Sequence, residues 1–304
     1  MDHRQTDERL VNGGIEMQES TTKKVGSGVW VKQLVEKFWA QSPENTLQNG
    51  STEKAWERPL VGFARADHQL FMRYAKDLAP FYWTPQQAFG LAFPNETAKL
   101  EELSIISWVL PQTPVTRADQ TQCDKLPAER WARSRDFGER FNCALRLHVA
   151  KELTAAGYPA VAPERLPDFA YQRSERFGIA SNWSERHTAH AAGLGTFGLS
   201  DGLITPHGKA VRIGSVIARL ELPVAEHPYA DHQSWCLWYA KGSCGACIRR
   251  CPAAAISGAG HDKDKCHAYI RQTTAPYAQQ TFGTQATPCG LCQVGIPCES
   301  RVPI

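Results

Sequence analysis

The sequence predicts an α/β domain followed by a small module built on cysteine, α+β overall, and three observations carry that prediction. A continuous apolar run over 103–110 (LSIISWVL) has the length and composition of a strand buried on both faces. Phe141, Leu145, Val149 and Leu153 then recur every four residues, with Gly157 just beyond, which predicts a helix ending in a glycine cap. A second short strand follows at 158–162 (YPAVA). Strand, helix and strand in succession predict a parallel α/β layer. Third, eight of the ten cysteines crowd into residues 236–298, a density that implies a metal centre there.

Length and composition bound the rest. At 304 residues there is room for two domains, placed at 28–225 for the α/β part and 226–304 for the cysteine module. A net charge of +3, with no long basic run, is too small to imply a nucleic-acid partner. No apolar run approaches the ~20 residues that span a bilayer, so no membrane association is expected. Residues 1–27 are polar and aperiodic, which predicts disorder. With neither an apolar leader nor adjacent arginines there, a cytoplasmic location is expected, where thiols stay reduced rather than pairing as disulfides.

Trp30, Leu34 and Phe38, with Val31 and Val35, form the stripe of an amphipathic helix, and residues 41–54 form a polar linker. Thr84-Pro85 predicts an N-cap and a first helical turn running through Ala88 and Phe89. Cys123 and Cys143 have no partners at ligand spacing, and Cys143 on its helix is expected to act as a small apolar residue. The stretch 181–222 is the most distinctive outside the cysteines. Asn182 followed by Glu185 predicts a capping box and a helix to about Ala192. Gly193-x-Gly195-x-x-Gly198 matches a dinucleotide fingerprint in letters only, because a helix rather than a strand precedes it. Residues 203–205 and 211–218 are expected as strands joined by a turn at Pro206-His207-Gly208. On the helix, Trp183, His187 and His190 fall near one face, with Arg186 adjacent. That face would line a pocket for a flat cofactor or substrate; the plainer alternative is a partly buried helix whose histidines satisfy backbone acceptors.

The cysteines read Cys244-x2-Cys247-x3-Cys251-Pro252 and Cys289-x2-Cys292-x5-Cys298, with Cys236 and Cys266 outside the two runs. Such spacings let thiolates converge on a soft metal centre, and a closing Cys-Pro is typical of bacterial ferredoxin motifs whose last cysteine crosses to the other cluster. Eight thiolates make two sets of four and predict two [4Fe–4S] clusters. Cys236, Cys244, Cys247 and Cys298 form one set; Cys251, Cys266, Cys289 and Cys292 form the other. Cys236 is irregular, because the regular run would start at position 241, which is Lys241. Two four-cysteine zinc sites would use the same residues and are the competing expectation. Arg249 and Arg250 then serve as counter-charges to an anionic cluster.

At this point a resemblance emerges. The segment AHAAGLGTFGLSDGLIT (189–205) is similar to the AGLG-x-x-G segment of epoxyqueuosine reductases, the cobalamin-dependent enzymes of queuosine tRNA maturation. Cys266-His267-Ala268-Tyr269 resembles that family's isolated Cys-x-x-Tyr, and Cys289-Gly290-Leu291-Cys292-Gln293 its final run. Reductive dehalogenases are similar more remotely, and the resemblance covers roughly 100–298. It implies a Rossmann-like cobalamin-binding domain, with Trp183, Gly193, Leu194, Gly195, Gly198 and Thr205 at the cofactor, followed by a ferredoxin-like two-cluster module. It also implies that electrons pass from a ferredoxin- or flavodoxin-type donor through the clusters to cobalt, for reduction of a small-molecule or modified-nucleoside substrate.

The departures from the family shape these expectations. The family's proton-donating aspartate falls at about Ile179, where no acid stands, so Arg186, His187 and His190 are the expected catalytic groups. No counterpart of the family's tRNA-holding helical repeats is expected after Cys298, which makes the tRNA activity doubtful. The alternative is a non-catalytic, ferredoxin-type electron carrier that has lost cobalamin.

Overall fold

The structure is a computed structural model that describes residues 24–224 and 226–304. Most of the segment expected to be disordered, residues 1–23, lies outside the described residues. Helix α1 (Gly28–Gln41) starts where the Ser27 hydroxyl accepts from the Trp30 N–H, and it buries Val31 and Val35 as its apolar stripe requires. Strand β1 (Leu60–Arg65) and helix α2 (Gln69–Asp77) follow. Helix α3 (Pro85–Ala92) opens with the predicted threonine cap, completed by Gln87 as a capping box. Strand β2 (Ser104–Pro111), helix α4 (Pro114–Thr121), the long helix α5 (Glu129–Ala155) and strand β3 (Ala160–Val161) come next. Gly157, just past α5, takes a left-handed φ of 89°.

The loop at 41–54 is packed rather than a free linker. Asn45 accepts from the Trp56 N–H at 3.1 Å and donates to the Trp39 carbonyl at 3.2 Å, and Leu47 is fully buried. Its polar letters are spent on internal hydrogen bonds.

Strands β4 (Tyr171–Ser174) and β5 (Gly178–Ser181) form a hairpin, followed by helix α6 (Glu185–Ala191), the two-residue strands β6 (Thr196–Phe197) and β7 (Leu203–Ile204), and strand β8 (Val211–Ala218). The main sheet has the order β1-β2-β8-β3, and every adjacent pair is antiparallel. This corrects the parallel layer expected from the strand–helix–strand pattern. The crossover through α5 does return β3 in the direction of β2, but two positions away, with β8 inserted between them. Local periodicity records which side chains are buried and not which strand is the neighbour, so the insertion left no trace in the pattern.

Burial on both faces, by contrast, is as the apolar run requires: all eight residues of β2 are buried. Ile106, Trp108 and Leu110 face α1 and α5, while Ile105 and Val109 face α2, α3 and α6. Trp108 lies opposite Gly214 in register, and a Cβ there would sit 2.6 Å from its ring. The indole N–H donates to Asn142, which donates on to the Ile213 carbonyl. Truncating a tryptophan held this way typically costs about 3–5 kcal/mol.

The cysteine segment is assembled from short pieces: α7 (Leu237–Lys241), α8 (Ala246–Arg249), the hairpin β9 (Ile256–Ser257) and β10 (Gly260–His261), α9 (Lys263–Tyr269) and α10 (Ala275–Phe282). It docks on the α/β part through backbone contacts. Gln120 donates to the Cys289 carbonyl at 2.7 Å, and the Lys209 N–H donates to the Cys298 carbonyl at 2.8 Å. Gly290, at φ 66°, lies so close to Trp131 that a Cβ would stand 2.0 Å from the indole. Among the described residues no helix is long and apolar enough to cross a membrane.

Candidate active site and metal centre

Helix α6 is held from beneath by a buried arginine. Arg146, on α5 and 1% exposed, bonds Glu139 at 3.0 Å, Glu185 at 3.1 Å and the Ile213 carbonyl at 3.0 Å, and also pairs with Glu164. Burial pushes the Glu185 carboxyl up, and the Arg146 guanidinium opposes that shift. The N-cap of α6 is Ser184, not the expected Asn182. The Asn182 side chain instead accepts from the Ala170 N–H and donates to the Asp168 carbonyl, pinning the end of β5. A tertiary partner won over the local capping box.

The exposed side of α6 forms one wall of a cavity of about 1150 Å³, closed by α2, β5, the segment after β8 and the cysteine segment. Arg186, His187 and His190, the three expected catalytic residues, all line it. His187 Nδ1 is 2.8 Å from the Ser184 hydroxyl, and its ring meets Tyr74 edge-on at 4.8 Å. His190 Nδ1 is 2.8 Å from the Gly195 carbonyl, and its ring stacks on Tyr229 at 5.0 Å. A carbonyl can only accept, so that contact puts the His190 proton on Nδ1 and leaves Nε2 as an acceptor. Burial drives His187 well below the usual imidazole range, helped by Arg186, and lowers His190 to about 4. Both rings are therefore neutral at pH 7. Seven of the chain's ten histidines line this cavity, and His227, His232 and His68 beside His190 add to its lowering.

Of the residues assigned to a cofactor, only Gly198 lines the cavity. Trp183 is 1% exposed in the core, where its indole N–H donates to Ser215. Leu194 packs in the same core, and its side chain lies where a Cβ at Gly62 would fall. Gly193 ends α6 at φ 74°, and Gly195 makes room for the Ile204 carbonyl, which a Cβ would meet at 2.3 Å. The Thr205 hydroxyl donates to the Gly208 carbonyl and holds the turn before β8. The glycine-rich stretch is thus largely a packing device, because helix, hairpin and sheet meet there within van der Waals distance.

Sequence reasoning missed much of the opposite wall. Asp201, at φ 57°, pairs through Oδ2 with His261 Nδ1 at 3.1 Å, and its carbonyl accepts from Arg186 at 2.6 Å. Lys263 reaches the Ile179 carbonyl at 3.3 Å; burial and the neighbouring Arg186 lower its ammonium pKa. Ile179, near which the resemblance would put the family's aspartate, lines the same space as a hydrocarbon. The Tyr74 hydroxyl, also on the wall, is buried without a hydrogen-bond partner among the described residues, as a group awaiting a ligand would be. None of these carries a local signal, although His261 and Lys263 stand only a few residues before Cys266.

The sulfurs fall into two neighbourhoods. Cys298 lies near Cys236 and Cys244, and Cys247 near Cys298 and Cys236. Cys266 and Cys289 both lie near Cys251 and Cys292. Cys247 and Cys292 adjoin where the sets meet. Burial pushes the Cys247 thiol up to about 11 and those of Cys266 and Cys289 up to about 12. Buried in this way the thiols stay protonated, and only a cationic centre would take them as thiolates. Backbone N–H groups already point at two sulfurs, Ala246 at Cys244 (3.5 Å) and Ala255 at Cys251 (3.3 Å). Cys244 itself holds φ 91°, a costly conformation for a residue with a Cβ. Among the described residues no three His, Cys, Asp or Glu side chains converge as one metal ion would need. Cys123 and Cys143 stand apart; Cys143 lies beside Arg146 and Glu139 rather than in purely apolar surroundings.

Two sets of thiols thus lie beside a histidine-lined cavity, and one of them reaches its wall through Cys266. In sequence the chain is similar to curated epoxyqueuosine reductases: 31% identical over 166 residues to that of Bacillus anthracis, covering 53% of this chain and 39% of the relative. It is 33% identical over 127 residues to that of Francisella cf. novicida strain Fx1, covering 40% and 33%. The match thus spans between a third and two fifths of the length of these relatives. In fold it is similar to a catabolic reductive dehalogenase solved with 3-bromo-4-hydroxybenzoic acid (TM-score 0.51, 15% identity, 91% of this chain and 37% of that one). A second solved structure is an epoxyqueuosine reductase bound to a tRNA-Tyr stem loop (TM-score 0.45, 17% identity, 88% and 66%). No family model matches.

Proposed function

We propose that the chain is an iron–sulfur reductase of the epoxyqueuosine-reductase and reductive-dehalogenase type. Eight cysteines hold two [4Fe–4S] clusters in the sets given above, and the cavity beside α6 receives a corrinoid and the substrate. The observation that carries this proposal is that Cys266 belongs to one thiol set and also lines the cavity. The set of Cys251, Cys266, Cys289 and Cys292 is therefore the one that borders the reaction space. When bound, the clusters supply single electrons at low potential, and a corrinoid supplies a strongly nucleophilic reduced metal.

The chain's own residues have three tasks. Tyr74, Phe197 and Tyr229 wall the cavity with rings that exclude water. Arg73, Arg176, Arg186 and Lys263 outnumber Asp77, Asp201 and Asp231 on the lining. That balance favours a substrate with anionic or strongly accepting groups, such as a small organic anion or a modified nucleoside. With a hydrocarbon at Ile179, the proton would be held at the Asp201–His261 pair. His187 and His190, neutral at pH 7, would orient the ligand as donors and acceptors.

Anaerobic loading with iron and sulfide, followed by titration with cobalamin, desalting and a visible spectrum, tests the proposal. The expected result is a brown protein with about eight irons per chain that retains one cobalamin, reducible through the clusters. A colourless, zinc-containing protein overturns it. A brown protein that retains no cobalamin supports the second reading, an electron carrier, which is favoured by Trp183 and Thr205 pointing away from the cavity.

A further inference from the structure

Lys209 is a lysine where none is expected. It is 3% exposed, and among the described residues no carboxylate lies within ion-pair distance of its ammonium. Lysine is almost never fully buried without a counter-charge, because transferring a bare ammonium out of water costs many times the net stability of a domain. Among the described residues its ammonium donates to the Ser200 hydroxyl alone, at 2.8 Å. What surrounds it instead is sulfur: Cys298, Cys236 and Cys247 of one thiol set and Cys292 of the other. The Ser200 hydroxyl also neighbours the Cys292 thiol and favours its ionised form, so hydroxyl and ammonium act on the same sulfur.

The backbone is shaped to deliver this side chain. At Gly208 a Cβ would lie 2.3 Å from the Glu299 carbonyl oxygen, so the turn before β8 presses directly on the loop that carries Cys298. The next residue, Lys209, donates its own N–H to the Cys298 carbonyl. At Gly202 a Cβ would meet the lysine stem at 2.6 Å, so only glycine leaves the stem a channel to the sulfurs. Two glycines and one hydroxyl serve a charge placed where the two sets of thiols meet.

We propose that Lys209 is a fixed positive charge that raises the reduction potentials of both clusters, most strongly the one held by Cys236, Cys244, Cys247 and Cys298. The inference rests on the cluster assignment above. Adding an electron makes a cluster more negative. In a dry interior a neighbouring cation favours that reduced state strongly, because little solvent screens the pair. Three of the four sulfurs around Lys209 belong to the named set, which is why that cluster feels it most. That set is also the one without a cysteine on the cavity lining. Lys209 would therefore tune the cluster remote from substrate, where electrons enter, rather than the one at the site of reaction.

The test is a potentiometric titration of the anaerobically iron-loaded full chain, followed by electron paramagnetic resonance, for the parent protein, Lys209→Met and Lys241→Met. Lys241 is exposed and close in sequence to Cys244, and it serves as the control. Lys209→Met is expected to keep its iron and to weaken the reduction equilibrium of one cluster at least tenfold, a fall of about 59 mV for one electron, with a smaller fall for the other. Lys241→Met should stay within twofold. Midpoints unchanged in Lys209→Met, or equal shifts in both variants, overturn the proposal. If Lys209→Met cannot be loaded, Lys209→Arg decides. Recovery of iron with the charge restored supports the proposal, whereas an equally empty arginine variant assigns the position to packing and overturns it. A parent protein that takes up no clusters overturns the cluster assignment and this inference with it; clusters indifferent to Lys209 overturn this inference alone.

Discussion

The α/β region and the cysteine segment are held together in different ways. The first buries twenty apolar residues on each face of its sheet, from Val31 to Leu222, and needs nothing else to close. The buried cluster beneath the second contains Leu199, Ile204, Cys236, Cys247 and Ile256. Two of those belong to the α/β region and two are cysteines; Val294 packs separately with Trp131 and Ala210, and Ala255, Ala278, Leu291 and Ile296 are buried as well. A segment whose buried apolar side chains lie in small groups around its thiols would, on the proposed cluster binding, draw much of its stability from the metal. The α/β region would then act as a scaffold for a module that depends on its ligand.

Removing iron is the strongest way to break that comparison. Stripping the metal anaerobically should abolish hydrogen-exchange protection through α8, α9 and α10 while β2, β8 and α5 keep theirs. Equal protection in both regions after stripping would show that the segment has a core of its own. Next in size, Cys236→Ala should lose about half the iron and Cys123→Ala none, measured as iron per chain; full iron in Cys236→Ala would remove that residue from the ligand set.

A third variant acts on the scaffold alone. Arg146→Met leaves the half-buried Glu164 and Glu185 without their cation and Glu139 with Arg212 alone, and should cost about 3–5 kcal/mol in urea unfolding of the α/β region with iron content unchanged in the absence of urea. An effect below 1 kcal/mol would mean that the three carboxylates find other partners.

The smallest effect is one of pH. Burial holds His190 at about 4 in the folded chain, against an ordinary value of 6.5 once unfolded. Below 6.5 the unfolded chain takes up a proton that the folded one refuses, so stability falls as pH drops from about 6.5 towards 4. Between pH 7 and pH 5 the loss from this group is about 2 kcal/mol, and His187 adds to it with the same sign. His190→Gln should flatten that part of the slope in urea midpoints; an unchanged slope would place the imidazole in a wetter environment than the structure shows.

The sequence was most informative where one physical cause acts locally. The helix containing Phe141, Leu145, Val149 and Leu153, the doubly buried strand at 104–111, the Thr84 cap and the mismatch of the glycine motif with dinucleotide binding all rest on neighbours within a few residues. The cysteine spacing is local in the same sense, and the fold brings those eight thiols near one another. The same reasoning failed at Asn182, Trp183 and Thr205, polar or aromatic residues in a glycine-rich stretch that suggested a ligand. Each proved to be occupied, Asn182 by Ala170 and Asp168, Trp183 by Ser215 and Thr205 by Gly208 in its own turn, and a sequence shows a hydrogen-bonding group without showing whether it is already satisfied.

By itself, then, the sequence determined the segments that must be buried, the thiols available to a metal and the helix that carries Arg186, His187 and His190. Tertiary structure alone decided that β8 enters the sheet between β2 and β3, that Asp201 meets His261 across sixty residues, and that Lys209 is buried among sulfurs from both sets. Burial leaves a periodic imprint on the chain because it acts on every residue of an element. Strand order, cavity walls and a single buried charge depend on contacts between distant segments, and such contacts leave no period to read.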